Sequence, residues 1–146
     1  MNVLKILITG VLVATAATSQ AEEVRHLLVA KFLLQRLEPA ELTEAQMTEF
    51  NRLSAELRAR IDQLRETTGI SREVMERRDA AHRELKTLKL PADVYWERLQ
   101  KDASLNEAQL KAFQKTQDQF DTFKQAAMEL LTDEQRAHMK SSKKSS

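Results

Sequence analysis

The three histidines are too far apart in the chain to share a site. His26, His82 and His138 form no H-x-x-x-H or H-x-x-E-H pair that would set two imidazoles on one helical face. Asp79 and His82 are neighbours on a helix, but two ligands make only a weak, exposed metal site. The sequence therefore predicts no metal and no other cofactor. No nucleophile–base arrangement is visible, and no glycine-rich loop could cradle a phosphate. The loops are also too short and too few to build a rigid pocket. The expectation is a protein that is not an enzyme.

Two kinds of chemistry remain, hydrogen bonding and charge. Leu42-Thr43-Glu44-Ala45-Gln46 and Leu131-Thr132-Asp133-Glu134-Gln135 repeat one pattern, L-T-x-x-Q, and Leu105-Asn106-Glu107-Ala108-Gln109 is a weaker third copy. At a helix start, Thr or Asn accepts from a free backbone N–H, and Gln three residues on reaches back to the cap's own N–H. Acidic residues between them favour the positive end of the helix dipole. The leading leucine can staple onto the fifth residue after it, Met47 in the first copy and Leu110 in the third. In the last copy that residue is Arg136, so the staple there is weaker or uses Ala137.

The charges are segregated. From Arg52 to Lys89, ten basic residues (Arg52, Arg58, Arg60, Arg65, Arg72, Arg77, Arg78, Arg83, Lys86, Lys89) face seven acidic ones. The flanking stretches 22–51 and 90–139 are both acidic overall. A basic middle attracts acidic partners at long range, and salt weakens that attraction. Pairing along each helix with residues four away accounts for part of the charge. Arginines without interleaved aromatics, in a chain with no basic excess, do not predict nucleic-acid binding.

Helices must position all of this. Glycine and proline are nearly absent, and Ala, Leu, Glu, Gln, Lys and Arg dominate, which reads as all-helical. The first helix spans about Glu22 to Leu37 and is apolar nearly all round, so it wants burial on more than one side, as at a subunit interface or a binding surface. The second spans about Glu44 to Glu66, with Met47, Phe50, Leu53, Leu57, Ile61 and Leu64 in one stripe. Gly69 ends it, and Ser71 caps a third that runs to about Lys89 with Val74, Met75, Arg78, Ala81, Leu85 and Leu88 inward. Pro91 belongs to the first turn of a short helix carrying Val94, Tyr95, Trp96 and Leu99. A long helix follows from about Glu107 to Leu130, then a last turn or two from Asp133 to about Met139. Residues 140–146 are a polar tail expected to be disordered. Narrow seams bury little per chain, so a homodimer is the natural way to stabilise them.

The first 21 residues read differently. Lys5 is followed by an apolar run from Ile6 to Ala17 and then by Thr18-Ser19-Gln20-Ala21, the pattern of a signal peptide cut near Ala21, with Ala17 as an alternative. The run is shorter than a membrane span needs, so no stable insertion is expected after cleavage. Losing Lys5 brings the 23 basic residues level with the 22 acidic ones. The expected domain covers residues 22–139, outside the cytoplasm. With no cysteine, it would owe nothing to disulfides there.

A small, exported, cysteine-free helical chain with two L-T-x-x-Q caps resembles the Spy/CpxP family of periplasmic proteins, which is recognised by paired motifs of this kind. The similarity covers about Leu42 to Met139. It implies an antiparallel homodimer of long bent helices shaped as a cradle, acting as an ATP-independent chaperone for unfolded or misfolded envelope proteins. The alternative it implies is an adaptor that restrains a sensor kinase; deleting an adaptor would switch on an envelope-stress response without stress. Some relatives bind metal, for which the histidine spacing here gives no support. Client contact would fall on the basic middle, from Arg52, Arg58, Arg60, Arg65, Arg72, Arg77, Arg78 and Arg83, with Met47 and Met75 as adaptable apolar contacts. Phe50, Tyr95 and Trp96 are further apolar candidates, Phe50 reading better as core.

Overall fold

A computed structural model describes residues 28–142 of the chain, the side chain of Ser142 excepted. The expected signal peptide, the start of the first helix and residues 143–146 lie outside the described residues. Among the described residues the chain is all-helical, with no strand.

The described part of α1 covers residues 28–37, and a short 3-10 turn follows at Glu38–Ala40. Thr43 is extended, and α2 runs Glu44–Thr68. Gly69 stops it in the left-handed region at φ 65°, where its N–H and that of Ile70 close on the Glu66 and Arg65 carbonyls. That is a Schellman ending, and Ile70 is the apolar residue such an ending buries. Ser71 then caps α3, Arg72–Leu85, by accepting from the Val74 N–H. Helix α4 is Ala92–Asp102, α5 is Glu107–Glu129 and α6 is Asp133–Ser142.

The framework is α2 against α5. Gln46 bonds to Leu130, the Phe50 and Phe123 rings meet edge-on at 5.4 Å, Arg60 bonds to Gln119, and Gln109 bonds to Gly69. Residue numbers rise on one helix as they fall on the other, so the pair is antiparallel. Each end carries its own apolar core. At the first, Ala30, Leu33 and Leu37 of α1 and Ala40 close over Phe50, Leu57, Ile61, Phe123, Ala127 and Leu131. At the second, α3 and α4 fold over the other end of the pair, joining Ile70, Val74, Ala81, Leu85 and Leu99 to Ala103, Leu105, Ala112 and Phe113.

Two expectations change. The third helix stops at Leu85 rather than near Lys89, continuing as a 3-10 turn Lys86–Leu88, with Lys89 left-handed at φ 49°. Pro91 bars its predecessor from helical geometry, so the chain unwinds ahead of it, and Leu88 ends 53% exposed instead of on the inner stripe. The last helix runs on to Ser142, because Met139 packs against the first core and Ser141 Oγ donates to the His138 carbonyl. The polar tail therefore begins helical rather than disordered at Lys140. Phe50 is core, 1% exposed, the reading favoured for it from the sequence.

Candidate functional site

All three caps form as their sequences require. Thr43 N–H donates to Gln46 Oε1 at 2.9 Å and Thr43 Oγ1 accepts from Gln46 N–H at 3.2 Å. Thr132 and Gln135 repeat this at 2.9 and 3.2 Å, and Asn106 with Gln109 at 3.2 and 2.8 Å. Up to here each box is a local device.

The glutamines go further. Each spends its amide oxygen on its own helix start and its amide N–H groups on another element. Gln46 Nε2 donates to the Leu130 carbonyl at the end of α5 (2.7 Å), Gln135 Nε2 to the Ala40 carbonyl (3.0 Å), and Gln109 Nε2 to the Gly69 carbonyl at the end of α2 (3.3 Å). Gln46 and Gln135 also donate to each other, at 2.8 and 2.9 Å, across 89 residues of sequence. The two L-T-x-x-Q motifs are thus one interlocked unit that ties the starts of α2 and α6 to the end of α5. Sequence reading missed this link. The signal for it was the choice of Gln over Glu at the third helical position of every copy: a glutamate completes the box, but only an amide can also donate.

The structure does not gather the arginines of the basic middle into one surface. Arg52 is paired with Glu49 and Glu56, Arg58 with Asp62, Arg60 with Glu56, Arg72 with Glu76, Arg77 with Glu73 and Arg78 with Asp79. The hydrogen bond from Arg52 holds the Glu49 carboxyl below its ordinary value and raises the Arg52 guanidinium above its own. At 100° per residue, Arg52 points away from the Phe50–Leu57–Ile61 stripe, Arg58 and Arg65 flank it on one side, and Arg60 on the other. Arg77 also donates to the Ala103 carbonyl, and the Arg78 guanidinium lies 5.2 Å from the Phe113 ring centroid. Both therefore hold α3 against the second core as much as they face solvent. Arg83 is exposed. Met75, Tyr95 and Trp96 are half-buried against that same core, whereas Met47 is exposed beside Leu42 in a shallow groove with Leu34 and Leu37.

The largest break in the pattern of buried apolar groups is on α1. Phe32 is 60% and Leu28 42% exposed. With Val29, Leu33 and Phe120 they line a groove of about 340 Å³, edged by Arg36 and Lys124. Sequence reading located the surplus apolar face on the first helix but assigned client contact to α2 and α3. Among the described residues no helix is long and apolar enough to cross a membrane.

No protein-family model matches the chain, and neither a curated protein nor a solved structure does.

Proposed function

We propose that this chain is an exported, ATP-independent chaperone that holds unfolded envelope proteins, working as an antiparallel homodimer. The observation that carries the proposal is the groove beside α1. Its apolar floor, with Phe32 and Leu28 facing outward, and its edge of Arg36 and Lys124, the latter paired with Asp121 at 3.0 Å, suit an unfolded chain. Apolar side chains of any sequence can settle on the floor, while acidic ones are steered by the rim. The interlocked L-T-x-x-Q caps support the same reading through the family they resemble. The signal-like first 21 residues support it by directing the chain to a compartment without ATP.

The test is direct. Purified protein lacking residues 1–21, at molarity comparable to that of a denatured client and without nucleotide, slows the client's aggregation as followed by light scattering. Absence of any effect at several-fold excess overturns the proposal.

A further inference from the structure

Helices α3 and α4 meet through a polar contact inside an aromatic cluster, in addition to the Arg77 bond to the Ala103 carbonyl at the end of α4. His82 Nδ1 lies 2.6 Å from the Tyr95 hydroxyl, with the two rings perpendicular at 6.0 Å. Tyr95 in turn packs edge-on against Trp96 at 5.2 Å. Around the imidazole stand charges of α3 and of the 3-10 turn that follows it. Arg78 and Lys86 lie one turn before and one turn after it, and Asp79 lies on the same side. The phenol of Tyr95 is the titratable group that α4 contributes. On its far side Arg78 is fixed by Asp79 and by the Phe113 ring of α5, with its Nε buried and unpartnered, so it cannot easily swing away from an incoming charge.

We propose that His82 is an acid-sensitive latch: its protonation loosens the α3–α4 hairpin, so that in mild acid α4 lifts Tyr95 and Trp96 off α3. In the neutral ring with Nδ1 unprotonated, the phenol donates to His82. On protonation Nδ1 becomes a donor, the phenol must turn to accept, and its own hydrogen loses its partner in a half-buried site. The new positive charge also faces Arg78 and Lys86, with only Asp79 to offset them.

Burial first, and then Arg78 and Lys86, lower the His82 pKa from its ordinary 6.5. A depressed histidine favours the folded state while neutral. Its contribution is complete above the ordinary value and is lost as pH falls from there through the folded value. The latch therefore opens on the acid side of neutrality. This inference stands on the α3–α4 contact alone, and does not depend on the chaperone reading.

The chain carries its own reporter, since Trp96 is its one tryptophan and Tyr95 its one tyrosine. Trp96 emission of the full protein, followed from neutral pH into mild acid, should shift reversibly to the red with a midpoint below 6.5, while far-UV circular dichroism keeps its helical signal. His82→Gln, which can still bond to the phenol but does not titrate, should flatten the transition, and His26→Gln with His138→Gln should leave it in place. An emission flat across the range, or a transition unchanged in His82→Gln, overturns the proposal. If His82→Gln does not fold, the imidazole titration of the unaltered protein by NMR decides. A His82 midpoint coincident with that of Trp96 supports the latch, and separate midpoints overturn it.

Discussion

Gln46 shows how much one side chain can hold. Its amide oxygen completes the cap on α2, and its amide nitrogen reaches both the end of α5 and Gln135. A substitution to glutamate separates the two roles. Gln46→Glu keeps the box and places a favourable negative charge at a helix start, so in an isolated helix it would be neutral or stabilising. Here it removes the donor and brings a carboxylate against the Leu130 carbonyl and Gln135 Oε1. We expect a loss of about 1–3 kcal/mol, read from chemical denaturation, with Gln135→Glu behaving alike. Thr43→Ala and Thr132→Ala, which delete only the caps, should cost about 1 kcal/mol each. If Gln46→Glu were as stable as the parent, the interlocking would be incidental to the fold. The capping half of this arrangement was legible in the sequence because it spans three residues. The other half joins positions 89 apart and depends on how α2, α5 and α6 converge, which no local spacing encodes.

At the level of elements, two helix endings are built alike from different residues. Gly69 and Ser104 both take the left-handed region, at φ 65° and 51°, and both are followed by a residue buried in the second core, Ile70 and Leu105. Leu105 N–H closes on the Gln100 carbonyl at 2.9 Å, as Ile70 N–H closes on that of Arg65 at the same distance. Glycine adopts this conformation freely, whereas a residue with a Cβ is disfavoured there by about 1–2 kcal/mol. A Cβ on Gly69 would meet nothing within 4 Å, so Gly69→Ala isolates the backbone cost. That variant should lose about 1 kcal/mol and Ser104→Gly should gain a similar amount, both measured by thermal unfolding. If both substitutions were destabilising, the Ser104 side chain would hold something beyond its backbone geometry. Gly69 announced its turn in the sequence, since so few glycines leave little else for it to do. Ser104 gave no such sign, and the turn it makes was readable only from the Leu105-Asn106 cap that follows. The end of α3 was misplaced for a related reason. Apolar periodicity carries through Leu88, while the steric effect of Pro91 acts backward along the chain and overrides it.

Among the described residues the molecule is built on one antiparallel pair, α2 and α5, with a core at each end, and the two ends are finished differently. At the second, Tyr95, Trp96 and Met75 of the α3–α4 hairpin are half-buried against the core. At the first, α1 buries Ala30, Leu33 and Leu37 but turns Phe32 and Leu28 outward. Apolar density all round α1 was the sequence feature that foretold this surplus. Its location beside Phe120 and Lys124 comes from the packing of α1 on α5. A phenylalanine 60% exposed contributes little to the fold of a single chain, so Phe32→Ser should change stability by no more than about 0.5 kcal/mol. If the groove is where unfolded chains or a second copy settle, the same substitution should sharply reduce suppression of client aggregation, or lower the sedimentation coefficient toward that of a monomer. Replacing Lys124 with Glu should weaken capture of acidic clients while leaving neutral ones held, and added salt should erase that difference, because rim charges act through screened, long-range attraction. Full activity and unchanged assembly in Phe32→Ser would move the binding surface away from α1. The Met47 groove and the half-covered aromatic face of the α3–α4 hairpin, which His82 would expose further in acid, would then be the apolar candidates among the described residues.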